Sequence, residues 1–229
     1  MIDFHSHILP QMDDGSSSVE ESLEMLKMLS AQGVKKVVAT PHFYANDESV
    51  DEFLKRRSRS YEMLRPVLND DLPEVLLGAE VKYYNGISRM EGLRRLTVQN
   101  SRLLLLEMSV AKWTEYVANE VIEMSNSGDL TVALAHVERY LFMQSRAVQD
   151  KLLQSDVLMQ CNAEFFVGAF TKRKALKMLA NADIQLIGSD CHNTTDRKPM
   201  MGDMSERIVA KYGRRMFNQF VEFGNSLFL

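Results

Sequence analysis

Short runs rich in valine, isoleucine and leucine recur at residues 2–7, 34–40, 75–81, 103–108, 131–136, 157–161 and 184–189, and this pattern predicts seven β-strands. Between them, at 19–31, 50–68, 116–125, 146–153 and 172–180, apolar residues return every three or four positions, which predicts amphipathic helices. The connection from the third strand to the fourth has a weaker pattern, and 205–223 reads as one or two closing helices. Ser18 stands at a helix start with Glu21 three positions on, the spacing of a capping box.

Near-continuous apolar strands separated by helices indicate a parallel sheet covered on both faces. No Gly-x-Gly-x-x-Gly turn follows the first strand, so a dinucleotide-binding sheet is disfavoured and a closed or nearly closed α/β barrel is expected. With no internal repeat, linker or low-complexity tract, residues 1–229 are expected to form one domain.

Composition narrows the function classes. A formal net charge of -4 supplies no chain-wide basic field, so no nucleic-acid partner is expected. The first residues show neither a basic nor an apolar leader pattern, and no run approaches the roughly 20 apolar residues that span a bilayer. A cytoplasmic enzyme without membrane insertion is therefore expected. Cys161 and Cys191 cannot build a disulfide framework.

All five histidines, His5, His7, His42, His136 and His192, fall at predicted strand ends or just beyond them, where barrels carry their chemistry. Side chains two apart on a strand share a face, so His5 pairs with His7 and Asp190 with His192. Barrel closure brings these two pairs together. Glu80 and Glu107 close apolar runs, where an unpaired carboxylate is costly to bury. Asp13 and Asp14 lie in the polar loop after the first histidine pair. A metal site explains the convergence, and nitrogen and oxygen ligands favour Mn, Fe or Zn over soft-ligand metals. A carboxylate can bridge two cations, and Glu80 is the first choice as bridge.

The motifs Asp3-Phe4-His5-Ser6-His7-Ile8-Leu9-Pro10, Asp13-Asp14-Gly15, Ala39-Thr40-Pro41-His42-Phe43, Gly78-Ala79-Glu80, Leu106-Glu107, Ala135-His136-Val137-Glu138-Arg139 and Gly188-Ser189-Asp190-Cys191-His192-Asn193 span almost the entire chain. As a set they resemble the polymerase and histidinol phosphatase (PHP) superfamily, and within it the manganese-dependent bacterial protein-tyrosine phosphatases encoded with capsule and exopolysaccharide genes. The resemblance implies a PHP fold, a distorted seven-stranded TIM-like (β/α)7 barrel, with three divalent ions, manganese first and iron or zinc as alternatives. By that resemblance His5, His7, Glu80 and Asp190 hold the first ion, Glu80, Glu107 and His136 the second, and Asp14, His42 and His192 the third. Asp13 replaces Asp14 if the loop register differs. The resemblance also makes Arg139 and Arg197 catalytic phosphate clamps, a role suited to the permanently charged, bidentate guanidinium. The implied substrate is a phosphotyrosine protein, with a tyrosine autokinase of polysaccharide export as partner.

Four other readings compete. Histidinol-phosphate phosphatases share the implied fold and ions. Cys191 to Arg197 has the Cys-x5-Arg spacing of cysteine-dependent phosphatases, but no glycine lies between to let backbone amides cradle a phosphate. A metal-dependent amidohydrolase would carry a carbamylated lysine where Glu107 stands. A decayed, non-catalytic barrel would be expected to have lost a ligand, and the set is complete.

Overall fold

A computed structural model describes residues 1–228. In chain order it contains β1 (Ile2–Ser6), α1 (Val19–Ala31), β2 (Lys36–Ala39), β3 (His42–Phe43), α2 (Val50–Leu64), β4 (Glu74–Leu77), β5 (Glu80–Lys82), β6 (Leu103–Glu107), α3 (Glu115–Asn126), β7 (Thr131–Leu134), α4 (Arg146–Leu153), β8 (Leu158–Asn162), α5 (Ala163–Val167), α6 (Lys172–Ala180), β9 (Leu186–Gly188) and α7 (Met201–Ser226).

Local chemistry sets the helix limits. The Ser18 hydroxyl accepts the Glu21 N–H and starts α1, but the Glu21 carboxylate turns to the N–H and hydroxyl of Ser17, so that capping box is half formed. The complete box is at α2, between Ser49 and Glu52. That helix stops at Leu64 rather than 68, and a 3-10 turn over Arg65–Val67 follows because Pro66 has no N–H to continue the α-helical ladder. The closing helix α7 is kinked at Gly213.

Every strand pairing is parallel, in a three-stranded sheet ordered β1-β2-β4 and a six-stranded sheet ordered β3-β5-β6-β7-β8-β9. Together they form a curled α/β half-barrel. The expected count of seven unbroken strands is not what the hydrogen bonds draw. The strand predicted over 75–81 is split at Gly78-Ala79, and beyond the one predicted over 34–40 a further strand, β3, resumes after Thr40-Pro41. Proline cannot donate to the ladder. The gaps are spanned by single bonds, Gly78 N–H to the Ala39 carbonyl and Glu80 N–H to the Pro41 carbonyl. First and last strands meet at the rim, where the Asp190 N–H donates to His5 and the His7 N–H donates to Cys191.

Strand alternation separates two cores. Leu104, Leu106, Val132 and Leu134 join the large core that includes helix residues such as Met25, Leu29 and Ile208, while Leu103, Leu105, Ala133 and Ala135 join a smaller one with Ile2, Phe4 and Leu186. Burial on both faces is what the apolar runs require. Met159 and Cys161 belong to the large core, so Gln160 and Asn162 face the other way. No helix among the described residues is long and apolar enough to cross a membrane.

Candidate metal centre

Strand ends and the loops between them bring the nine proposed ligands together. His5 and His7 extend from β1, and their Nε2 atoms lie 3.2 Å apart. Each also faces Glu80 Oε2, at 3.2 and 3.3 Å, and Asp190 Oδ1, at 3.6 and 3.5 Å. The His5 and His7 nitrogens and Asp190 Oδ1 lie close enough to one another to share one divalent ion, with Glu80 Oε2 beside both imidazoles.

The hydrogen bonds around the rings fit that reading. His5 Nδ1 faces Gln160 Oε1 at 3.2 Å and His7 Nδ1 faces Asp13 Oδ2 at 2.8 Å, so each neutral ring carries its proton on Nδ1. With neutral rings both Nε2 lone pairs then point at each other and at two carboxylates, a convergence of acceptors that a cation, or protons on the rings, would relieve.

The other two groups share the same rim. Glu80 Oε1 lies 2.9 Å from His136 Nε2, which is 3.9 Å from Glu107 Oε1. Asp14 Oδ1 lies 3.4 Å from the Nε2 atoms of both His42 and His192. His42 Nδ1 is 3.0 Å from Glu80 Oε2, so Glu80 faces four imidazoles. Glu80 Oε2, His42 Nδ1 and His192 Nε2 are buried without a hydrogen-bond partner among the described residues. These orphaned atoms and the nitrogen and oxygen donor set fit divalent cations.

Geometry places the two loop aspartates differently. Asp14 is the aspartate aimed at His42 and His192, whereas Asp13 sits behind His7, where it also accepts the N–H groups of His42 and Gly15. Strand alternation does not explain Asp190 and His192, because β9 ends at Gly188. Asp190 reaches the cluster through a left-handed turn, φ 52°, and His136 does likewise at φ 34°. Such conformations are strained for residues with side chains and collect at functional sites.

Arg139 and Arg197 stand on the rim, and both guanidiniums reach Asp190, at 2.5 and 3.3 Å. Arg197 also approaches Asp14 Oδ2 at 3.5 Å. Lys82, which the sequence reading did not single out, pairs with Glu107 at 3.1 Å. Two further supports were missed. Gln160 Oε1 accepts the His136 N–H as it faces His5, and Asn162 Nδ2 donates to Asp190 Oδ2 at 2.8 Å. Two amides alternating with apolar residues on the sixth apolar run were the available signal.

Burial favours neutral His5 and His7, but Glu80 and Asp190 around His5, and Asp13, Asp190 and Glu80 around His7, override it and raise both pKa values. Burial keeps His136 neutral and lowers His192 to about 4, where the charge of His7 adds to it. Burial also works against the Glu80 and Asp190 carboxylates, yet the His5 charge and the surrounding hydrogen bonds hold both well below the usual range. Without a cation, protons on His5 and His7 supply the positive charge.

A stability consequence follows from the sign. A raised imidazole pKa stabilises the fold fully below the unfolded value of about 6.5, and that contribution is lost as pH rises through the folded value. Chelator-treated protein is therefore expected to melt at progressively lower temperature above about pH 6.5. Cation-loaded protein is not, because metal affinity grows as ligand protons leave. Melting curves of the two forms between about pH 6 and 9 check this, and parallel pH profiles would contradict it.

Fold and site together define a parallel α/β protein whose strand ends carry imidazole and carboxylate groups able to hold divalent metal ions. The chain belongs to the family described as "Capsular polysaccharide synthesis, CpsB/CapC", whose profile matches residues 1–227. It is 30% identical to the tyrosine-protein phosphatase CpsB of Streptococcus pneumoniae, over 94% of this chain and 92% of that protein. It is 27% identical to the tyrosine-protein phosphatase YwqE of Bacillus subtilis, over 86% of this chain and 79% of that one. A chain from the crystal structures of YwqE from Bacillus subtilis and CpsB from Streptococcus pneumoniae, "unique metal-dependent tyrosine phosphatases", shares the fold with a TM-score of 0.78 at 22% identity, covering 99% of this chain and 94% of that one.

Proposed function

We propose that this chain is a metal-dependent protein-tyrosine phosphatase, with a phosphotyrosine protein as substrate and a tyrosine autokinase of polysaccharide export as the partner. The observation that carries the reading is the convergence of His5, His7 and Glu80, and of both imidazoles with Asp190, while Arg139 and Arg197 reach the same aspartate. The relatives' names support the aryl ester over histidinol phosphate. Residues 1–229 act as one cytoplasmic domain, and the two sheets function as one distorted seven-staved barrel with β2 running into β3 and β4 into β5.

Three ions, manganese first and iron or zinc as alternatives, would occupy the cluster. His5, His7, Glu80 and Asp190 would hold the first, Glu80, Glu107 and His136 the second, and Asp14, His42 and His192 the third. Bound there, such ions would activate water and offset charge at phosphorus. The residues behind them orient the ligands: Asp13 fixes the His7 ring, Gln160 fixes His5 and the His136 turn, and Asn162 fixes Asp190. Arg139 and Arg197, 42% and 39% exposed, grip the non-bridging phosphate oxygens from the open side. A phenolate with a conjugate acid near pKa 10 leaves with little proton assistance, and His192, held neutral, is poorly placed to give any.

Phosphate release from a phosphotyrosyl peptide is expected to vanish on chelation and return with Mn. Persistent release from metal-stripped protein would refute the reading. The cysteine alternative has its own test. Cys191 is buried, and burial with the neighbouring Asp3 pushes its thiol pKa up, the reverse of what a nucleophile needs. Cys191→Ala should retain activity within about threefold, whereas a nucleophilic cysteine would lose nearly all of it.

A further inference from the structure

The metal cluster opens on the face where large apolar side chains stand in solvent. Among the described residues nine side chains of this kind are exposed, and five of them (Tyr44, Tyr84, Val110, Phe142 and Met143) lie in segments that follow the C-terminal end of a strand before the next long element. A site for small alkyl phosphates has no need of such a rim, and a polypeptide substrate does.

Tyr44 is the member of this group that touches the cluster. Its ring stacks on His42, with centroids 5.5 Å apart and planes inclined by 29°. His42 in turn faces Glu80 and Asp14. The Tyr44 carbonyl accepts the N–H groups of Asp47 and Glu48, at 3.0 and 3.3 Å, so a turn fixes its position. The side chain is 40% exposed, and Phe43, Ala45 and Tyr84 line an adjoining cleft of about 470 Å³.

We propose that Tyr44 is a specificity-determining residue, an aromatic wall that stacks on the phenyl ring of the phosphotyrosyl substrate and so favours aryl over alkyl phosphates. This rests on the phosphatase reading above. A phosphoryl group held at the cluster leaves its ester substituent at the rim, where Tyr44 offers a flat apolar face that is already partly ordered. Aromatic pairs of this kind contribute beyond simple burial, and the expected effect is about three- to tenfold in binding.

The test compares wild type, Tyr44→Ala and Tyr44→Phe in Mn-loaded protein. Turnover of a phosphotyrosyl peptide is measured alongside inhibition by phenylphosphonate and by inorganic phosphate. Tyr44→Ala should raise KM for the peptide and weaken phenylphosphonate inhibition by about three- to tenfold, with kcat within about twofold. Inhibition by inorganic phosphate should not change, which reports an intact metal cluster. Tyr44→Phe should behave as wild type. The proposal is overturned if phosphate and phenylphosphonate weaken together, if kcat falls instead of KM rising, or if Tyr44→Phe fails as Tyr44→Ala does. A wild-type protein that releases no phosphate from the peptide would instead overturn the parent reading, and this one with it.

Discussion

Glu80→Gln is expected to lower kcat/KM for phosphotyrosine hydrolysis by about a thousandfold or more. One oxygen of Glu80 lies within 3.3 Å of His5, His7 and His42, and the other lies 2.9 Å from His136. A glutamine keeps the volume but offers one acceptor and no charge, so it cannot bridge two cations. Losing several kcal/mol of charge stabilisation in the transition state corresponds to that factor, at about 1.4 kcal/mol per tenfold. Steady-state kinetics with elemental analysis check both halves. A glutamine variant with full metal content and activity would remove Glu80 from the bridging role.

The second large effect concerns a residue with no side chain. A methyl at Gly188 would fall on Cβ of His5, and would lie 2.8 Å from the His5 nitrogen and 3.0 Å from Gln160 Nε2. None of these can yield easily, because β8 and β9 are paired at Gln160 with Leu186 and at Asn162 with Gly188, and Gln160 supports His5. Gly188→Ala is expected to destabilise the fold by about 3 kcal/mol, roughly 6–12 °C in Tm, and to reduce metal content by displacing His5. Thermal melts and metal analysis on the same sample decide it. A variant with wild-type Tm and metal content would mean that the strands relax freely there.

Much of this architecture could be read from the residues. The α1, α4 and α6 patterns gave their helices at the observed limits, because apolar spacing is a direct record of which face is buried. The nine proposed ligands were legible because charged and imidazole groups at the ends of apolar runs have few inexpensive alternatives to a cation. Other features depend on contacts that spacing does not encode. The split at Gly78-Ala79 and the extra strand β3 beyond Pro41 arise from ladder geometry, and the short α5 carries too few turns to show a period. Asp13 and Asp14 are chemically alike, and only the fold of the loop separates the one behind His7 from the one aimed at His42. Alternation does not account for the pairing of Asp190 with His192, since the strand has already ended and a left-handed turn carries Asp190 to the cluster.

The hydrogen bond from the Ser189 hydroxyl to the His5 carbonyl joins positions 184 residues apart. During synthesis the amino-terminal imidazoles emerge long before Asp190 and His192, and for most of that interval they have no complete cage around them. A cage assembled from such distant segments exists only once the barrel has closed, so ion binding and folding are coupled at this rim.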